Sequence, residues 1–99
     1  MRWYDLEPDV YMAISMIECA PPNAQVKYAE YIIKLVQEKD KDFEYIKNIT
    51  KSNITNKYQR WYDRNETISI AFAYLKETKK ELQKEISLSV LAYMNSAVV

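Results

Sequence analysis

Apolar residues recur at helical spacing over most of the chain, and the places where that pattern stops divide it into segments. In "DLEPDVYMAISMIEC", Val10, Ala13, Ile14 and Ile17 fall on one stripe, which predicts a helix from about Asp5 to Cys19. Asp5 suits its N-cap, Glu7 and Asp9 complement the positive end of the helix dipole, and Pro8 is tolerated in the first turn and nowhere later. "APPN" ends this helix, because a residue before proline is pushed out of the α region, and a second helix starts at about Pro21. Its stripe is Ala24, Tyr28, Ile32 and Leu35, with Val36 beside it and Lys27, Glu30, Lys34 and Gln37 on the other side.

The middle of the chain is less regular. Asp42 is placed to cap a short third helix with a stripe of Phe43, Ile46 and Ile49, which ends at the polar Ser52 and Asn53; the Ser, Asn and Thr around them favour a linker. From Asp63 the helical pattern returns and runs to the C-terminus, with Asp63 and Glu66 spaced as a capping-box variant. Periodicity alone would allow one helix of more than about thirty residues, unusual for so small a domain.

A repeated tetrapeptide resolves this. "RWYD" occurs as Arg2-Trp3-Tyr4-Asp5 and again as Arg60-Trp61-Tyr62-Asp63, in a chain with only two tryptophans. Laying Arg2 on Arg60 without gaps pairs Ala13 with Ala71 and Gln25 with Gln83, and matches apolar residues at Val10/Ile68, Ile14/Phe72, Ile17/Leu75, Ile32/Val90 and Val36/Met94. In this register Ala20-Pro21 falls on Thr78-Lys79, and Thr78 with Glu81 forms a Thr-x-x-Glu capping box, so the last segment should break near Thr78. The predicted fold is all-α: one domain over 1–99, a small bundle of two similar helical hairpins (about 2–39 and 60–97) arising by internal duplication and joined by a short middle helix or linker.

Composition narrows the chemistry. With no glycine, hairpin turns needing positive φ, phosphate-cradling loops and Rossmann turns are disfavoured together. With no histidine, the commonest general acid and base, the Ser-His and Cys-His pairs and the usual zinc and di-iron ligand sets are missing, so neither an enzyme nor a cofactor is expected. Glu77, Glu81 and Glu85 recur on one helix face but alternate with Lys76, Lys80 and Lys84, which predicts a salt-bridged solvent face, not a metal site. The single cysteine, Cys19, lies near Ile17 and Ala20 and reads as a small buried apolar residue. No stretch suits a membrane span or a secretory signal, so the expected address is cytoplasmic with no membrane partner. Net charge is zero, yet 1–45 carries five Lys and Arg against nine Asp and Glu, and 46–99 carries nine against five.

Two surfaces are candidates. The first comprises Arg2, Trp3, Tyr4, Arg60, Trp61 and Tyr62, the aromatic and cationic residues of the repeat. Its aspartates are expected to cap helices, its tryptophans to fold over the hairpin ends, and its arginines to pair with their own aspartates or stack on the rings. The alternative, a single-strand nucleic-acid surface of cations and stacking rings, comprises Lys47, Lys51, Lys57, Tyr58, Arg60 and Arg64, and the neutral net charge weakens it. Tyr11, Met12, Met16, Tyr31, Ile33 and Ile70 lie off the main stripes, more apolar surface than one stripe per helix requires. The expected function is therefore a small non-enzymatic interaction module that self-associates as a homodimer or binds another protein.

Overall fold

The structure, a computed structural model, describes residues 2–53 and 61–96, with the backbone alone at 52 and 53. The described residues form five α-helices and two 3₁₀ turns and contain no strand: a turn at Trp3–Leu6, α1 (Pro8–Glu18), α2 (Pro22–Lys39), α3 (Phe43–Asn53), a turn at Trp61–Arg64, α4 (Glu66–Glu77) and α5 (Lys80–Ser96). No described residue has a positive φ, so a chain without glycine makes all these corners in backbone regions open to any residue.

The first helix starts later than its cap signal suggests. Glu7 precedes Pro8, and the proline ring holds it extended at φ −127°, ψ 120°, so no α-helix can run from Asp5 through Glu7. Glu7 is the N-cap, with its carboxylate accepting the Asp9 N–H at 3.4 Å. Asp5 lies inside the 3₁₀ turn and closes that turn instead. The second copy behaves likewise: Asn65, not Asp63, caps α4, its Oδ1 accepting the Ile68 N–H at 3.1 Å, while Asp63 accepts from the Ser69 hydroxyl at 3.2 Å.

Val10, Ala13, Ile14 and Ile17 are buried on α1 as expected. Cys19 is not: it is the C-cap of α1 and exposed, because it falls off the stripe just where the helix ends. Pro21 is the N-cap of α2, whose buried residues are Ala29, Ile32, Leu35 and Val36, with Ala24 and Tyr28 half-buried. α3 is longer than its apolar stripe, since Thr50 extends the buried line one turn beyond Ile46 and the helix continues to Asn53. The linker expected beyond it falls on 54–60, outside the described residues. α4 ends at Glu77, Thr78 is extended at φ −76°, ψ 165°, and α5 begins at Lys80, so the chain breaks at Thr78.

The packing differs from two self-contained hairpins. α2 packs most extensively against α4, and α1 against α5, whereas α1 and α2 touch much less. Helices consecutive in sequence thus find their main partners in the other half, and one core forms between the halves, with Ile14, Ile17, Phe72, Leu75, Ile86 and Val90 almost wholly buried.

Two glutamines hold the corners. Gln25 Nε2 donates to the Ile17 and Glu18 carbonyls at 2.9 and 3.1 Å, bracing the end of α1, where the Ile17 carbonyl also accepts the Ala20 N–H at 3.0 Å. Gln83 Nε2 does the same after α4, donating to the Lys76 and Thr78 carbonyls at 3.0 and 3.2 Å. Among the described residues, the second corner is also tied to a distant segment by a side-chain hydrogen bond. Asp40, 5% exposed between α2 and α3, accepts from the Thr78 hydroxyl and from the Asp42 N–H at 2.9 Å. The hydroxyl expected to cap α5 is thus directed to Asp40. Burial opposes the charge on Asp40, but the hydrogen bonds from Thr78 and the Asp42 N–H, together with nearby Lys79, outweigh it and hold the carboxyl below its ordinary range.

The Lys/Glu face, Lys76 and Glu77 at the end of α4 and Lys80, Glu81, Lys84 and Glu85 on α5, is exposed throughout, as expected of a solvent face. Its ion pairs run between helices: Lys84 to Asp9 of α1 at 3.8 Å and Glu85 to Lys39 of α2 at 3.6 Å. No helix among the described residues is long and apolar enough to cross a membrane.

Candidate functional site

The two 3₁₀ turns carry the two copies of the tetrapeptide, and the interlocked packing brings them to one place. Arg2, Trp3, Tyr4, Trp61 and Tyr62 together line a cleft of about 360 Å³. The sixth residue of the expected surface, Arg60, lies outside the described residues.

Each turn arranges its rings in the same way. Tyr4 and Tyr62 are 3% and 4% exposed and belong to the core, while Trp3 and Trp61 are half-buried above them. Within each copy the indole meets the phenol edge to face, at 5.4 Å and 87° for Trp3–Tyr4 and 5.6 Å and 89° for Trp61–Tyr62. The second copy is braced further by Phe72, whose ring lies 5.5 Å from Trp61 and 4.8 Å from Tyr62. The tryptophans therefore cover the core, and their rings also form the cleft walls. Trp61 Nε1 is buried and meets no acceptor among the described residues.

The cation at the cleft is fixed. Arg2 Nε and Nη2 donate to the two oxygens of Asp5, both at 3.1 Å, and the Arg2 N–H donates to Asp5 at 3.0 Å. The guanidinium lies 4.7 Å from the centre of the Tyr4 ring and 5.9 Å from that of Tyr11. Pairing and stacking, read from the sequence as alternatives, occur together. The Arg2 hydrogen bond holds the Asp5 carboxyl below its usual range, and the same bond raises Arg2. The cleft thus presents aromatic faces beside a neutralised ion pair.

The alternative surface is only partly placed. Lys47 and Lys51 are exposed on α3 and Arg64 is exposed at the end of the second turn, while Lys57, Tyr58 and Arg60 lie outside the described residues. Of the off-stripe residues, Tyr11, Met12 and Met16 are exposed, and Tyr31, Ile33 and Ile70 are half-buried. Among the described residues no group of His, Cys, Asp and Glu could hold a metal ion.

Sequence reading missed a second cleft, of about 430 Å³, that adjoins the first through Trp3 and includes Lys76, Lys80 and Gln83. Its only signal was the Gln25/Gln83 pairing, which marked a corner without showing what lay across it. No family model, curated protein or solved structure matches this chain.

Proposed function

We propose that the protein is a small non-enzymatic interaction module whose binding site is the aromatic cleft between the two Arg-Trp-Tyr-Asp turns. One observation carries this reading: the two tetrapeptides, far apart in sequence, converge so that five of their residues line a single cleft of about 360 Å³. That volume lies within the range of binding pockets, and tryptophan, tyrosine and arginine are the residues that most often dominate binding energy at interfaces. Rings braced by core contacts lose little further freedom when a partner docks.

The same reading treats the chain as an internal duplication, supported by equivalent turns, equivalent Trp–Tyr geometry and equivalent Gln25 and Gln83 corners. It also has the module self-associate through the outer face of α1, where Tyr11, Met12 and Met16 are exposed. Light scattering of the dilute protein should give a dimer mass, and a strict monomer would rule self-association out.

Both tryptophans line the cleft, so their emission reports its occupancy directly. Selection of a randomised displayed-peptide pool on the whole protein should yield peptides that shift this emission. Those peptides should fail to bind Trp3→Ala, with its helical circular dichroism retained. Peptides that bind that variant undiminished would refute the cleft as the site.

A further inference from the structure

The two clefts lie side by side with Trp3 in the wall of both, and this paired groove has unlike ends. One end is aromatic. The other presents Lys76, in the last turn of α4, and Lys80, at the start of α5, both exposed. Among the described residues neither lysine makes an ion pair, whereas Lys39 and Lys84 both do. Gln83 bonds the Lys76 and Thr78 carbonyls, so the corner that presents the two lysines is held in place. The carboxylate in this second cleft, Glu7, is engaged with the Asp9 N–H, and Asp9 is paired with Lys84. Among the described residues that line the aromatic end, the charged one, Arg2, is paired with Asp5.

We propose that the groove takes an extended peptide segment of a partner protein in which an aromatic side chain is followed by acidic residues. This deepens the reading of the aromatic cleft as a binding site and rests on it. The aromatic side chain packs edge to face among Trp3, Tyr4, Trp61 and Tyr62. The peptide then crosses Trp3, and its carboxylates meet Lys76 and Lys80, which make no ion pair among the described residues. A groove with an apolar end and a cationic end separated by one ring suits a peptide, which alternates side chains along an extended backbone. It suits a nucleic-acid strand less, since the two lysines lie at one end only and the chain's net charge is zero.

The test is a peptide-display selection on the full chain, run in parallel on wild type and on the double variant Lys76→Glu, Lys80→Glu. Wild type should enrich peptides with an aromatic residue followed by Asp or Glu, and the double variant should enrich basic residues at the same positions. A peptide selected on wild type should bind the double variant about tenfold more weakly, and the difference should shrink as salt rises. Aromatic peptides with no acidic excess would overturn this inference and leave the cleft reading standing. Peptides indifferent to Trp3→Ala would overturn both. An oligothymidylate strand that binds more tightly than every selected peptide would also overturn it.

Discussion

The corner between α1 and α2 and the corner between α4 and α5 make the same bend by different means. Both use a glutamine in the second helix to satisfy carbonyls at the end of the first. At the first, Pro21 at φ −60°, ψ 152° and Pro22 in the opening turn fix the path through local stiffness. At the second, Thr78 and Lys79 stand where Ala20 and Pro21 stand in the first, and the path is held by the buried carboxylate of Asp40 from the far end of α2. One bend is encoded where it occurs, and the other needs the fold to be present first.

That contrast can be broken most severely at Asp40. Asp40→Ala leaves the Thr78 hydroxyl and the Asp42 N–H without their acceptor, and it should lower stability by about 2–3 kcal/mol in urea unfolding with an unchanged m-value. No substitution at Ala20, the counterpart of Thr78, removes an equivalent bond.

Acid should reproduce part of this loss. The folded Asp40 carboxyl lies below its ordinary value, so the native state binds fewer protons than the unfolded chain between that depressed pKa and the unfolded value near ~3.9. Its contribution is complete above the unfolded value and disappears as pH falls through the folded one. Asp5 shifts in the same direction but lies at an exposed turn, where its ion pair contributes little. Unfolding followed from neutral pH into the acid range should therefore show a slope that Asp40→Asn largely removes. A slope unchanged by that substitution would place the acid sensitivity elsewhere.

The shared element predicts equal effects. Gln25→Ala and Gln83→Ala should each cost about 1 kcal/mol, as each removes a side chain that serves two carbonyls. Unequal losses in chemical denaturation would show that the Asp40 tie compensates at one corner. A buried pair of counterparts predicts a gain: α2 has Ala29 where α5 has Ser87, and Ser87 Oγ is buried without a partner among the described residues. Ser87→Ala should raise the melting temperature through a stabilisation of about 0.5–1 kcal/mol. The smallest effect belongs to the stiff corner: Pro21→Ala should lose about 0.5 kcal/mol, through greater freedom of the unfolded chain and with the helical spectrum unchanged.

These residues also show how far the sequence could be read. The buried faces of α1 and α4 and the break at Thr78 were legible, because periodicity and the alignment of Arg2 with Arg60 carry that information locally. Asp5 and Asp63 match the cap pattern, yet Glu7 and Asn65 are the caps, and the restriction that Pro8 places on Glu7 is the local signal for the first. The Arg-Trp-Tyr residues could be named from their repetition. That they share one cleft depends on α1 packing against α5 and α2 against α4, which no local pattern specifies. Asp40 gave no signal, since one aspartate among charged neighbours looks solvated until the fold places Thr78 beside it. Cys19 has apolar neighbours in Ile17 and Ala20, which suggest burial, but at the end of α1 it falls off the buried stripe and is exposed.

The exchange of partners between the halves has a consequence for how the chain holds together. A core that exists only where one half meets the other leaves neither half an interior of its own, so the two should melt in one transition. For the same reason a chain cut once within 54–60 should behave as two complementary fragments, each gaining its fold by capturing the other.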